Sequence, residues 1–190
     1  MIGCNAVFRD HNLEYVVACD RHMCQEAANT CGKNTTIYTR DNWYKQFAFW
    51  PNVKKVPDLP YEGDKRQDEP FHWGTGQFAA LVGMTFKPKA IFLIGMDLYG
   101  LGEERKPENV NNIYKGTKNY RAPTHDPIFT GNWENQIRTN CKDVGPECQF
   151  FRVGSKEVLN LDLPPKLQNL PNLRDMSYPE FESHINKLVK

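Results

Sequence analysis

Residues able to bind an anion or to act in acid–base chemistry are concentrated in one stretch, "HWGTGQFAALVGMTFKPKAIFLIGMDLYG", at positions 72–100. It opens with a Gly-Thr-Gly turn before a short apolar helix. A helix N-terminus presents unpaired N–H groups and about half a positive charge, which favours a phosphate or carboxylate. Thr75 is a suitable N-cap, and the glycines beside it permit positive φ. No strand precedes the turn, and it matches neither the P-loop nor the dinucleotide fingerprint. Anion binding and simple capping with tight packing therefore both remain interpretations.

The other end of this stretch carries an acid and a phenol. Asp97 follows the apolar residues 91–94, and Tyr99 stands two positions later. One interpretation is that they line a pocket; the other is that the aspartate caps a turn under the tyrosine. Further along, His125 lies between two prolines in "RAPTHDP". Imidazole titrates near neutral pH, so His125 is the candidate general base, although a lone loop histidine is also typical of a surface.

A metal site is not indicated by the cysteines and histidines. Four of them are close in sequence, but their spacing is not the short paired pattern of structural zinc sites; these are Cys19, His22, Cys24 and Cys31. We expect no bound metal.

Apolar periodicity predicts the elements that hold these groups. Strands are predicted at 13–20, 35–40, 46–51, 90–96 and 148–154, and helices at 21–29, about 76–86, about 128–141 and 177–190. Strands separated by helices predict an α/β fold, a Rossmann-like mostly parallel sheet with helices on both faces. Ligands of such sheets bind beyond the carboxyl ends of the strands. That rule makes Asp20, the end of "TTIYTR" and "GMDLYG" neighbours on one edge.

Two long polar segments, about 52–72 and 100–127, interrupt this pattern. Loops of that length in a compact domain are usually functional or mobile. The chain of 190 residues otherwise suits a single domain, 1–190.

Composition excludes several classes of partner. The formal net charge is +1 and the charges are dispersed, so nothing favours nucleic acid or an anionic membrane. No apolar run is long enough to span a bilayer, and the N-terminus has no signal pattern. Six cysteines without a secretion signal indicate free thiols in a reducing compartment. We therefore expect a cytoplasmic protein.

Several motifs together resemble a known group. The motifs are "IGCNAVFRD", "YVVACDRHM", the block at 74–100 and "THDPIF" followed by "NW". In this order they resemble the Rossmann-like group that holds the bacterial lipooligosaccharide sialyltransferases and the archaeal-type 6-hydroxymethylpterin diphosphokinase relatives, with small phage proteins of the same layout. The resemblance covers about residues 2–154, and the 74–100 block is its most specific part.

The resemblance implies a role for individual residues. By motif, Asn5 and Asp20 match nucleotide-contacting positions, although the family has asparagine at the second. Thr75 and Gly76 match a Ser-Gly helix start near the nucleotide, and Asp97 belongs to the same edge. Tyr99 matches the first of two tyrosines that hold the leaving phosphate; the second is Tyr120 or Tyr114. His125 matches the catalytic base.

The resemblance also implies the reaction. An acceptor hydroxyl loses its proton to His125 while the nucleotide leaves, with phenol hydrogen bonds on its phosphate and no cofactor. Relative to the family, the N-terminal strand and its glycine-rich loop are expected to be reduced. Asp20 places a negative charge where the family has a neutral amide, and that charge discourages a nucleotide-sugar unless a cation is present.

The sequence thus predicts a transferase that binds a nucleotide or nucleotide-sugar. One alternative is a diphosphokinase-like enzyme, in which Asp20 and Asp97 hold Mg²⁺ on ATP; no cluster of lysines or arginines beside the glycine turn supports it. The other is a non-catalytic accessory protein of the same fold that acts by binding a partner. A homo-oligomer is possible because a reduced sheet leaves an exposed edge.

Overall fold

The computed structural model describes residues 1–59, 73–96, 98, 112–120, 122, 131–155, 159 and 163–188. The first sheet, in the order β1-β2-β3-β4, is made of β1 (Ile2–Cys4), β2 (Tyr15–Val17), β3 (Thr36–Thr39) and β4 (Val53–Lys55). The second, in the order β5-β6-β7, is made of β5 (Ala90–Ile94), β6 (Gln149–Gly154) and β7 (Leu173–Ser177). All pairings between these strands are parallel. The predicted α/β class is confirmed.

Five α-helices accompany the strands within the described residues. They are α1 (Arg21–Thr30), α2 (Asp41–Phe47), α3 (Thr75–Met84), α4 (Gly131–Thr139) and α5 (Tyr178–Leu188). A 3₁₀ turn (Asn5–Arg9) follows β1, and a π-helical turn (Asn140–Val144) continues α4.

Helix α3 lies across both sheets. A Cβ atom added to Gly83 of α3 would lie 3.4 Å from Cδ1 of Ile91 on β5 and 3.6 Å from Cδ1 of Ile2 on β1. The chain therefore builds one sheet outward from β1 and the other outward from β5. Such a reversal of strand order is where open α/β sheets bind their ligands.

The helices cover both faces of the first sheet. Alternate residues of a strand point to opposite faces, so β2 divides its side chains between two clusters. Val16 packs with α1 and α2, in the company of Ile37 and Val53. Val17 packs under α3 beside Trp73 and other apolar residues, which are Cys19, Val56, Phe78, Ala79, Leu81 and Val82.

The second sheet is covered in the same way. Leu93 and Phe150 lie in a cluster with α3 and α4 residues, among them Ala80 and Ile137. On the opposite face, the ring of Phe92 stacks on Phe151 at 5.1 Å and meets Phe181 of α5 at 5.1 Å. Within the part of the chain that the structure describes, no helix is long and apolar enough to cross a membrane.

Four elements differ from the sequence prediction: β1, α2, β4 and β7. No strand was predicted at Ile2–Cys4, where β1 lies. The predicted strand at 46–51 is wrong: α2 ends at Phe47 and the chain turns, because Trp43 and Phe47 repeat at helical spacing against the core. The strand lies instead at Val53–Lys55, inside the segment we predicted to be loop. Strand β7 was missed because only Leu173 of its residues is buried, so its sequence reads as polar.

Candidate functional site at the carboxyl ends of the strands

Polar side chains follow the carboxyl ends of three neighbouring parallel strands and meet the first turn of α3. We call this group the rim and define it by seven residues: Asn5 after β1, Cys19 and Asp20 after β2, Arg40 after β3, and Thr75, Gly76 and Gln77 in α3. Parallel strands bring their carboxyl ends to one edge. The sequence prediction of a shared edge for Asp20 and the end of "TTIYTR" agrees with this order of strands.

Asn5 turns the chain sharply at the end of β1. Its φ is +49°, in the left-handed region that asparagine tolerates better than most residues. Its side-chain nitrogen lies 3.5 Å from the hydroxyl oxygen of Tyr120. Its side-chain oxygen is buried and has no hydrogen-bond partner among the described residues. An acceptor in that position is available to a ligand that donates a hydrogen bond.

Tyr120 is placed at the rim by a distant segment of the chain. Its hydroxyl oxygen accepts a hydrogen bond from the amide of Asn112 at 2.9 Å, in addition to the long contact from Asn5. Because the Tyr120 oxygen accepts these hydrogen bonds, its phenolic proton can be donated to another group. None of the described side chains accepts that proton. Tyr114, the other tyrosine considered, donates its hydroxyl to Oδ2 of Asp10 at 2.6 Å instead. Of the two, only Tyr120 contacts Asn5.

The N-terminus of α3 has no side-chain cap. The N-cap position is Gly74, and Thr75 is the first helical residue rather than the cap we expected. Gly74 has a φ of −67°, and the φ of Gly76 is not positive either. Both glycines serve close packing: a Cβ atom on Gly74 would lie 2.9 Å from Nε1 of Trp133, and one on Gly76 would lie 2.7 Å from Cε of Met96.

The side chain of Thr75 is turned toward Cys19. Burial raises the pKa of the Cys19 thiol to about 11, while the charge of Arg40 and a hydrogen bond from Thr75 lower it. Cys4 lies close to the same thiol, and burial raises the pKa of Cys4 to about 12. At neutral pH both cysteines are thiols, so neither is an activated nucleophile.

Arg40 brings a positive charge to the glycine turn. Its Nη2 donates to the carbonyl oxygen of Trp73 at 2.6 Å, and its Cζ lies 5.8 Å from the centroid of the Phe78 ring. Its Nε is buried and has no partner within the described part of the chain. In the sequence, no cluster of lysines or arginines lies beside this turn. One arginine lies there, brought from the end of β3.

Asp20 is the one carboxylate of the rim in the described residues. It is exposed and forms the N-cap position of α1, but its side chain makes no capping hydrogen bond. Its charge is near enough to the Cys19 thiol to raise the pKa of that group. The carboxylate is therefore accessible to solvent and to a bound cation.

Polar side chains from α4 and the π-helical turn form hydrogen bonds with the first turn of α3. The backbone N–H of Gly74 donates to Oε1 of Gln136 at 2.9 Å, and Nδ2 of Asn140 donates to the carbonyl oxygen of Gln77 at 3.1 Å. Asn140 opens the π-helical turn after α4, and such turns occur often at functional sites. These bonds fix the helix start rigidly against α4.

Three of the predicted site residues lie outside the described residues: Asp97, Tyr99 and His125. The other predicted site residues are described by the structure. Asn5 contacts the hydroxyl of Tyr120, and Thr75 hydrogen-bonds with Cys19, which is next to Asp20 in sequence. Arg40 was missed as an individual residue. The available signal was its place at the carboxyl end of a predicted strand.

The rim can bind an anion without a metal. The α3 N-terminus and the Arg40 guanidinium favour negative charge, and Asn5 and Tyr120 offer neutral hydrogen bonds. No group of three or more histidine, cysteine, aspartate or glutamate side chains is arranged to hold a metal ion in the described ranges.

A groove of about 390 Å³ between β7 and α5 is a poorer candidate. It is lined by Met176, Pro179, Glu180, Ser183, His184 and Lys187. Its carboxylate, Glu180, is already occupied by the backbone N–H and the hydroxyl of Ser177, at 2.8 and 2.6 Å. That carboxylate is therefore not available to a ligand in the groove.

Comparison with known proteins gives no match: no family model, no curated protein and no solved structure is similar to this chain.

Proposed function

We propose that this protein binds a nucleotide or nucleotide-sugar at the rim and acts as a transferase. The observation that carries the proposal is the convergence of an uncapped helix N-terminus, a cation and neutral donors at the carboxyl ends of parallel strands. The cation is Arg40 and the donors include Tyr120. Phosphate oxygens are the ligand that such a set fits best.

No group among the described residues accepts the proton of the Tyr120 hydroxyl, and this supports a role for this phenol in departure of the phosphate. A phenol that donates to a leaving phosphate stabilises the negative charge that develops on it, without carrying charge itself. Asn5 and Asn112 hold the Tyr120 oxygen, and that orients its proton. In the full proposal, Tyr99 is the second phenol, Asp97 belongs to the nucleotide site, and His125 is the base that accepts the proton of the acceptor hydroxyl.

Isothermal titration calorimetry tests the binding step. The protein is titrated with CMP, CDP, UDP, GDP and ATP, each with and without magnesium. We expect metal-independent binding of at least one of them. Absence of heat with every nucleotide, for protein shown to be folded by circular dichroism, would sink the proposal. Binding of ATP only in the presence of magnesium would favour the diphosphokinase-like reaction, with Asp20 as a metal ligand.

Two tyrosines of one segment provide a matched pair of variants. Tyr120→Phe removes a hydroxyl at the rim, whereas Tyr114→Phe removes one bonded to Asp10. We expect Tyr120→Phe to weaken nucleotide binding at least about tenfold, since a hydrogen bond to a charged group contributes about 1.5–3 kcal/mol. Tyr114→Phe should lose less affinity, because the Tyr114 hydroxyl binds Asp10 and not the rim. Equal losses in the two variants would contradict the assignment of the rim.

A further inference from the structure

Residues 112–120, which we call the tyrosine segment, are attached to the N-terminal part of the chain at several points. Nη1 of Arg9 donates to Oγ1 of Thr117 at 2.8 Å, and Nη2 of Arg9 donates to the carbonyl oxygen of Lys118 at 2.7 Å. Nδ2 of Asn119 donates to Oε2 of Glu26 at 2.7 Å. Besides the bond from Tyr114 to Asp10, the segment is therefore held by the Arg9 guanidinium and the Glu26 carboxylate.

Those two groups also bind each other. Nε and Nη2 of Arg9 donate to the two carboxylate oxygens of Glu26 at 2.7 and 2.8 Å, which is the bidentate geometry of strong arginine–carboxylate pairs. Each side chain is 21% exposed. Hydrogen bonding to Arg9 lowers the pKa of Glu26. The pair is charged, oriented and partly shielded from water, unlike an isolated surface ion pair.

The Arg9–Glu26 pair positions both residues of the contact between Asn5 and Tyr120. Arg9 ends the 3₁₀ turn that Asn5 begins. On the other side, the backbone N–H of Tyr120 donates to the carbonyl oxygen of Thr117 at 3.0 Å. Fixing Thr117 and Asn119 therefore fixes the backbone of Tyr120, while fixing Arg9 fixes the turn that carries Asn5.

We propose that Arg9 and Glu26 are positioning residues that set the Tyr120 phenol at the rim. Neither touches the ligand; they act by docking the tyrosine segment on α1 and on the turn after β1. The proposal rests on the proposed function of the rim, because the benefit of a fixed phenol is tighter binding of the phosphate.

The first part of the test needs no ligand. Hydrogen exchange of the Thr117 and Tyr120 amides is compared in wild type, Glu26→Gln and Arg9→Lys, since these amides donate within the segment. We expect exchange in both variants to be at least tenfold faster, with the urea unfolding midpoint changed little. Arg174→Lys, an exposed arginine on β7, is the control and should exchange as wild type does. Unchanged amide exchange in both Glu26→Gln and Arg9→Lys overturns the proposal, whatever the nucleotide result.

The second part distinguishes positioning from general support. Nucleotide affinity is measured for Glu26→Gln, Tyr120→Phe and the double variant. If Glu26 acts through Tyr120, the double variant binds no more weakly than Tyr120→Phe alone. Fully additive losses would overturn the proposal. If the wild type binds no nucleotide, the proposed function is wrong. The exchange experiment still decides whether Arg9 and Glu26 dock the tyrosine segment.

Discussion

Asn5 has a backbone conformation that most residues avoid, and this separates its two roles. With φ at +49°, an alanine is strained at this position, whereas a glycine is not. Both substitutions remove the amide that contacts Tyr120. A comparison of the two therefore resolves the backbone contribution from the side-chain contribution.

We predict that Asn5→Ala lowers the free energy of unfolding by about 1 kcal/mol relative to Asn5→Gly, which is the approximate cost of the left-handed conformation for a residue with a Cβ atom. Urea denaturation measures the difference. Both variants should bind nucleotide equally weakly. Equal stability of the two would show that the turn relaxes away from positive φ.

The cysteines allow a prediction about reactivity. Cys4 and Cys31 are both half-buried, but burial and the neighbouring Cys19 raise the pKa of the Cys4 thiol to about 12, while burial alone raises that of Cys31. Because the thiolate is the reacting form and a higher pKa lowers its fraction, Cys31 should be alkylated faster than Cys4 at pH 8. Mass spectrometry after timed iodoacetamide labelling measures the rates. In urea the two rates should converge.

At the scale of elements, the sequence predicted those with a strong apolar period. Strands β2, β3, β5 and β6 and helices α1, α3, α4 and α5 were found near their expected positions. Strands β1, β4 and β7 were not: β1 has only three residues, and β4 and β7 bury few side chains, so their sequences are mostly polar. The docking of the tyrosine segment could not be predicted either: Arg9 and Thr117 are 108 positions apart and belong to no periodic pattern.

Helix α5 begins with a reciprocal cap at Ser177, the residue at which the sequence predicted this helix to begin. The backbone N–H and the hydroxyl of Ser177 both donate to Oε2 of Glu180, and the N–H of Glu180 lies 3.5 Å from Oγ of Ser177. Ser177→Ala should lower the free energy of unfolding by about 1 kcal/mol, the usual contribution of such a cap. Thermal or urea unfolding measures it. A value near zero would mean that α5 frays without affecting global unfolding.

The same cap gives a pH dependence with a definite sign. Hydrogen bonds from Ser177 lower the pKa of Glu180 below its ordinary value of 4.5. A lowered pKa in the folded state stabilises the protein above the unfolded-state pKa, and this is lost as the pH falls through the folded-state pKa. Glu180→Gln should therefore be less stable than wild type at pH 7 and should equal it at strongly acidic pH. Glu182→Gln, an exposed position on the same helix, is the control.

At the scale of the whole molecule, two glycines test how α3 and β1 hold the sheets together. A methyl group on Gly83 would make ordinary contacts with Ile91 and Ile2, at 3.4 and 3.6 Å. On Gly3 of β1 it would collide with Leu13, which is buried. The same substitution should therefore act in opposite directions at the two positions.

Gly83→Ala is expected to raise the free energy of unfolding by about 0.5–1 kcal/mol, because it removes a flexible residue from the helix interior and adds contacts to both sheets. Gly3→Ala should lower it by about 1–3 kcal/mol through overpacking. Gly32→Ala, with no neighbouring atom within 4 Å, is the control. Urea denaturation with one cooperative transition measures all three, and destabilisation by Gly83→Ala would contradict the packing of α3 on both sheets.

The boundary between β1 and β5 determines how the molecule deforms. Among the described residues no ladder joins these strands, and each pairs only with its own sheet. Hydrogen bonds resist sliding along a strand because they are directional, whereas dispersion contacts between aliphatic side chains change little over small displacements. Among the described residues, sliding of one sheet past the other at this boundary is therefore resisted by side-chain packing, including that of Ile2, Ile91 and α3, and not by a hydrogen-bond ladder. Since Asn5 follows β1 and Met96 follows β5, a displacement at this boundary would alter the width of the rim while each sheet keeps its ladder.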